Sequence, residues 1–182
     1  MAVRKLLSVA LFVIASAFLA PGSTAHKGSP PPSVVLKFYL QQQFGVNELG
    51  MVAAARAPVS GTFTGFGLEV VYEFNVTAGK SPQSKPLGYV RGTAIVVNNI
   101  AASTTFFVQN VIHYDNGNVR GTLSQQGEST FSSVQWEFAI VGGTGMFRNA
   151  YGFNVGRFIS STPTPNGNLI TTYYEASVFL DR

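Results

Sequence analysis

The chain is 182 residues long, 46% hydrophobic and 13% aromatic with only 11% charged residues, which supplies ample apolar material for one folded domain and too little charge for a disordered one. Its 12 Lys and Arg against 8 Asp and Glu become 10 against 8 when Arg4 and Lys5 are set aside with a removable leader (12 − 2 = 10), a balance too near neutral for a nucleic-acid surface. With no Cys there is no disulfide, thiolate metal site, cysteine nucleophile or redox pair, and two His do not make a histidine metal site.

Taken in chain order, Arg4 and Lys5 precede an apolar run from Leu6 to Ala20 that is short for a stable membrane span and has the form of a secretory leader. Pro21 and Gly22 break it, and Ser23-Thr24-Ala25 supplies the small residues of a cleavage site, so residues 1–25 are expected to be a signal peptide cut after Ala25. Residues 26–33 then form a flexible Pro/Ser/Gly-rich tail. No second apolar stretch of that length follows, so the mature chain is expected to be exported and free of the membrane. In a secreted chain Asn75-Val76-Thr77 is an N-glycosylation acceptor, which places Asn75 on an exposed surface.

From Val34 onward, β-branched and aromatic runs alternate with Gly, Pro and Asn clusters, and helical periodicity is absent. The expected strands are Val34–Gln42, Phe66–Phe74, Leu87–Asn98, Thr104–Tyr114, Val119–Gln125, Ser133–Ile140, Tyr151–Ser160 and Asn168–Leu180. Asn116-Gly117 and Asn166-Gly167 lie between such runs and are hairpin turn pairs. A chain of hairpins without crossover helices forms an antiparallel meander, and so many apolar strands protect their edges best by closing into a barrel; a sandwich is the competing architecture. Period-two alternation puts Phe66, Leu68, Val70, Tyr72 and Phe74 on one face of their strand and Glu69, Val71 and Glu73 on the other, without saying which face is the lumen. Further on, Phe106, Val108, Ile112 and Tyr114 share a face with Asn110, an amide that either lines a pocket or bonds a neighbouring backbone group.

Hydrolytic chemistry has no foothold: a nucleophile system would have to use His113, since His26 is in the tail, and no Gly-x-Ser-x-Gly elbow occurs. Gly142-Gly143-Thr144-Gly145 is not followed by a helix start and so shapes a turn rather than a phosphate loop. Lys and Arg are scattered singly, and abundant Gln, Asn and Ser suit a water-soluble barrel better than one embedded in lipid.

The stretch Ile140-Val141-Gly142-Gly143-Thr144-Gly145-Met146-Phe147-Arg148-Asn149-Ala150-Tyr151-Gly152-Phe153 resembles the V-V-G-G-T-G-x-F-R-x-A-R-G-Y signature of plant dirigent proteins. Phe66-Gly67-Leu68-Glu69-Val70-Val71-Tyr72-Glu73-Phe74-Asn75-Val76-Thr77 is similar to the family's F-G-x-x-V-V-x-D-D-P-L-T, and Ser84 to Gly92 and Gly121 to Gly127 resemble two further motifs, so the likeness covers essentially the whole mature chain. The resemblance implies an eight-stranded antiparallel closed β-barrel, usually a homotrimer, with an apolar cavity. That cavity would receive phenoxy radicals of monolignols, made by a separate oxidase such as a laccase or peroxidase, and steer their coupling in lignan or lignin-type metabolism. Holding geometry is then the chemistry, and no cofactor or metal is implied. An extracellular, cell-wall (apoplast) location and a defence role go with it.

Members that couple radicals are thought to use cavity acids, an arginine and a tyrosine on the quinone-methide intermediate, and here the pattern is only partly kept. The first acid of the D-D pair corresponds to Glu73, the second to Phe74, the arginine to Tyr151, the acid after G-G-T-G to Met146, and the cavity tyrosine falls near Asn110. Glu73 is therefore the expected proton donor and Tyr151 its phenol partner, the alternative being a surface Glu73 beside Glu69. Asn110, Phe106 and Phe153 are the expected substrate-binding residues. Ala150-Tyr151-Gly152 also resembles the allene oxide cyclases, which share the barrel, and a carbohydrate-binding wall module stacking sugars on Trp136 and tyrosines is the reading from another class. Trp136 alternates with Val134 and Phe138, which favours a buried structural place for it.

Overall fold

The computed structural model describes residues 30–52, 65–100, 103–130 and 133–181. The chain divides into a unit Met1–Pro31 and a unit Pro32–Arg182. The expected leader, residues 1–25, lies outside the described residues. The second unit is built from β1 (Val34–Gln42), β2 (Glu48–Val52), β3 (Glu69–Thr77), β4 (Pro86–Asn98), β5 (Thr105–Asp115), β6 (Arg120–Thr130), β7 (Gln135–Gly145), β8 (Ala150–Thr164) and β9 (Gly167–Leu180). Among the described residues there is no α-helix.

Every strand pairs antiparallel with its neighbours in the order β1-β9-β8-β7-β6-β5-β4-β3-β2, and β1 pairs back onto β3. That last pairing sets Tyr39, Leu40 and Gln41 against Thr77, Val76 and Asn75 and closes β1 and β3 to β9 into an eight-stranded ring. The sandwich alternative is thereby excluded. After an excursion at residues 43–47, β2 takes up the rest of the β3 edge, with Glu48 opposite Tyr72. The β3 edge is thus shared between two strands, β1 opposite Asn75–Thr77 and β2 opposite Glu69–Tyr72.

Alternation decides the faces. Val70, Tyr72, Phe74 and Val76 on β3 are buried, whereas Val71, Glu73 and Asn75 between them are exposed, so the first set faces the lumen. The same rule turns Leu36, Phe38 and Leu40 inward on β1, and Val108, Asn110, Ile112 and Tyr114 inward on β5. Both Asn-Gly pairs lie at hairpin connections, Asn116-Gly117 between β5 and β6 and Asn166 in the turn before Gly167 opens β9, and the two glycines take φ of 96° and 108°.

The end of the barrel where β1 begins is plugged. Phe147, from the turn between β7 and β8, is completely buried, as are Leu123, Ile112 and Val178 in the same core. A side chain at Gly143 would overlap the Phe147 backbone and Cβ, and one at Gly121 would meet its ring at 2.8 Å, so these two glycines are the seat on which the plug rests. The turn expected at Gly142–Gly145 therefore forms four residues late: β7 continues through Gly145, and residues 146–149 make the turn.

Candidate functional site

Above this plug the lumen carries a row of polar side chains across neighbouring strands. Tyr72, Gly92, Asn110 and Gln125 are successive cross-strand partners on β3, β4, β5 and β6, and Glu48 on β2 faces Tyr72 from the other side. Asn110 is an inward residue of β5, and its side-chain Nδ2 donates to the Tyr72 hydroxyl at 2.9 Å. Gly92 lies between the two, and its missing side chain leaves room for the Asn110 stem. Asn154 on β8 donates from Nδ2 to Gln125 Oε1 at 2.7 Å. At the rim Gln42 Nε2 donates to Glu48 Oε2 at 2.6 Å.

Aromatic rings surround this row. Tyr72 stacks on Phe74 with centroids 4.3 Å apart, and Phe38 stacks on Tyr174 at 5.6 Å. Trp136 is half-buried against the core as its alternation suggested, and its ring N–H donates to the Tyr174 hydroxyl at 3.0 Å. Burial, opposed by bonds from Trp136 and Thr172, pushes the Tyr174 phenol up to about 12. Burial likewise lifts the Tyr72 phenol well above its ordinary range, against the Asn110 hydrogen bond and with help from Tyr174 and Glu48. Tyr72 therefore keeps its proton at every physiological pH, and because its oxygen already accepts from Asn110, its O–H is the donor it offers.

Desolvation also raises the Glu48 carboxyl, in opposition to the Gln42 bond. The folded chain holds this proton more tightly than the unfolded chain does. The cost of burying the charge is therefore absent well below the ordinary value of 4.5 and grows as pH rises through it. Glu48→Gln, which keeps an oxygen for Gln42, is expected to melt higher than the parent at pH 7, the difference closing below pH 4.5. Thermal melts at the two pH values check this; a constant difference would place Glu48 in water.

Among the described residues, the outer surface carries depressions. One of 420 Å³ is walled by Val46, Leu49 and Val71 and by the Glu73–Arg91 ion pair, and one of 260 Å³ lies beside Tyr89 and His113, whose rings stack 4.4 Å apart. Among the described residues no three His, Cys, Asp or Glu side chains gather closely enough to hold an ion.

The family description Dirigent-like protein matches residues 34–179. The chain belongs to the dirigent family. Comparison with curated proteins gives no match. Among solved structures it is similar to the pterocarpan synthase dirigent protein PsPTS1, with 26% identity over 82% of this chain and 96% of that one and a TM-score of 0.67. It is also similar to the pterocarpan synthase dirigent protein GePTS1, with 23% identity over 85% and 89% and a TM-score of 0.67. A pyocyanin demethylase shares the fold, at 18% identity over 80% and 99% with a TM-score of 0.54.

In this dirigent barrel the residues expected from the motifs do not all meet. Asn110 and Phe106 face inward on β5, Phe106 packing against the core. Glu73 faces outward on β3 and pairs with Arg91, both side chains being more than half exposed, because the motif counts one step past the inward Tyr72. Tyr151 and Phe153 face outward on β8, 47% and 39% exposed, and Tyr151 stacks on Phe179. With the observed faces, Tyr72 is the lumenal phenol that bonds Asn110, and Glu48 is a half-buried carboxyl on the same side. The alternation of β3 had already paired Tyr72 with the apolar face. Glu48 had no such marker, since β2 is five residues long and its apolar residues, Leu49, Met51 and Val52, follow no clean strand pattern. Asn75 is exposed, as a glycan acceptor requires.

Proposed function

We propose that this chain is a stereochemical template that takes a reactive phenolic intermediate into the upper lumen and fixes which face reacts. The intermediate is a monolignol-derived phenoxy radical pair or the quinone methide formed from it, and a separate laccase or peroxidase performs the oxidation. The leader-like N-terminus supports export to the cell wall, and apolar side chains on the outer faces of several strands support assembly with further copies of the chain.

The observation that carries this reading is the Tyr72–Asn110 pair. It sets a neutral O–H donor beside an amide carbonyl acceptor in an aromatic-walled interior. A quinone methide has a carbonyl oxygen that gains negative charge as its exocyclic carbon is attacked, and a donor already aimed at that oxygen lowers the barrier. The attacking hydroxyl meanwhile needs an acceptor. Confinement does the rest: a bias of about 1.4 kcal/mol between two orientations gives about tenfold selectivity. The likeness to pterocarpan synthase dirigent proteins supports a phenolic guest, and Glu48 at the rim is the group able to return a proton to the product.

The test is the enantiomeric excess of products formed from coniferyl alcohol by a laccase, with and without the protein, read by chiral chromatography. The reading expects an excess that disappears in Tyr72→Phe and survives in Glu73→Gln. A racemic product in the presence of folded protein overturns it. Turnover without oxidant would instead indicate a cyclase acting on a ready-made substrate, and retention on polysaccharide alone a wall-binding module.

A further inference from the structure

The chain has seven tyrosines, and their surroundings set two of them apart. Tyr72, Tyr114 and Tyr174 are buried in the barrel, Tyr89 stacks on His113, and Tyr151 stacks on Phe179. The remaining two face each other. Tyr39 on β1 and Tyr173 on β9 are cross-strand partners, half-buried on the outer face, with ring centroids 5.1 Å apart and planes at 60°. At that separation and angle the edge of one ring rests on the other.

Tyr173 is also held from its far side and through its oxygen. The Arg157 guanidinium of β8 lies 4.5 Å from the ring centroid, and the phenolic O–H donates to Glu175 Oε2 at 3.2 Å. Glu175 is fixed in turn by Lys37, its partner on β1, at 3.4 Å. These neighbours decide how the ring can be oxidised. A phenol that loses only an electron becomes a radical cation, which the Arg157 charge disfavours. A phenol that passes its proton to Glu175 as the electron leaves becomes a neutral radical, which that charge does not oppose. Burial and the Glu175 charge raise the Tyr173 phenol against the pull of Lys37 and Arg157, so the proton stays until the electron goes.

We propose that Tyr39 and Tyr173 are an oxidative staple: a one-electron oxidant of the peroxidase class joins their rings by a carbon–carbon bond and so ties the first strand of the barrel to the last. Each phenol gives one electron to the oxidant and its O–H proton to Glu175 or to water. The two neutral radicals combine at the carbons ortho to oxygen. The hydrogens on those carbons then leave as protons while the phenol oxygens regain theirs, and both rings are aromatic again. One hydrogen peroxide takes up the two electrons and two protons and leaves as two waters. A tyrosyl radical on an ordinary surface waits for a partner from solution, whereas here the partner is already in contact, so the bond forms within one chain. The inference shares with the reading above only its oxidase, not its guest site.

The experiment treats the full chain, at high dilution, with a haem peroxidase and hydrogen peroxide. The monomer is then read for dityrosine fluorescence, for a mass lower by two hydrogens and for the linked peptides. The link is expected between Tyr39 and Tyr173, lost in Tyr173→Phe, kept in Tyr89→Phe and Tyr151→Phe, and formed about tenfold more slowly in Glu175→Gln. The linked chain is expected to melt about 10 °C higher, because the bond takes loop-closure entropy from the unfolded chain. No dityrosine, links only between chains, links through Tyr89 or Tyr151 in place of the pair, or an unmoved melting temperature would each overturn the inference. The peptide map of the parent chain decides the site even if a variant fails to fold. None of these results touches the lumen, whose own test is the enantiomeric excess.

Discussion

Phe38→Ala is expected to lower stability by about 3–5 kcal/mol, the cost of emptying a fully packed aromatic site. The side chain is completely buried on β1, stacked on Tyr174 with centroids 5.6 Å apart and an interplanar angle of 9°, and tilted against Tyr114 at 6.3 Å. Rings on β9 and β5 close over it from two sides, so neither can collapse into the space without leaving its strand. The position also matters to the ring as a whole, since β1 is the strand that joins β9 to β3. For a domain of this size the loss corresponds to a fall in Tm of about 10 °C, out of a total stability of about 5–15 kcal/mol. Circular dichroism melts of Phe38→Ala and Phe38→Leu measure it, the leucine variant losing less. A fall of under about 2 °C for the alanine variant would mean that β1 does not close a packed interior.

The fold could be read from the chain because its local signals agree with its global closure. Alternation in Val34–Gln42 gave the first strand its observed bounds, and Asn116-Gly117 and Asn166-Gly167 marked two hairpins that the structure contains. Strand ends were less legible: β8 runs on to Thr164 past the expected Ser160, because Pro163 sits in a ladder whose far end is a hairpin tip. The site was only half visible. Asn110 stood out as an amide on an apolar face, and it is where that face led. The acid did not, for a physical reason. A linear motif carries residue types but not facing, and one step along a strand exchanges lumen for solvent. Glu73 therefore pairs with Arg91 outside, while Tyr72 beside it holds the interior. Glu48 becomes lumenal only because β2 adds to the β3 edge left open by β1, a long-range pairing that no local pattern of that segment announces.

Gly92→Ala is expected to abolish stereocontrol while leaving a folded protein. Gly92 is the cross-strand partner of both Tyr72 and Asn110, and an added Cβ would overlap the Asn110 Cβ and the Gln109 carbonyl oxygen. Neither is the far end of a flexible side chain, so β4 and β5 must separate or Asn110 must swing away from Tyr72. Either movement breaks the 2.9 Å bond that orients the pair. Overpacking of this kind costs about 1–3 kcal/mol, which a barrel of this size survives at 25 °C. The functional loss is larger in proportion. Selectivity of about tenfold rests on about 1.4 kcal/mol, and a donor displaced by an ångström no longer supplies it. Enantiomeric excess in the laccase assay is expected to fall toward zero at a temperature where circular dichroism still reports the folded sheet. Gly50→Ala is the matching control: its added Cβ meets nothing within 4 Å, and its excess is expected to equal that of the parent. If Gly92→Ala stays folded and keeps the parental excess, the polar row does not set the stereochemistry, and selection must lie in the apolar walls above it.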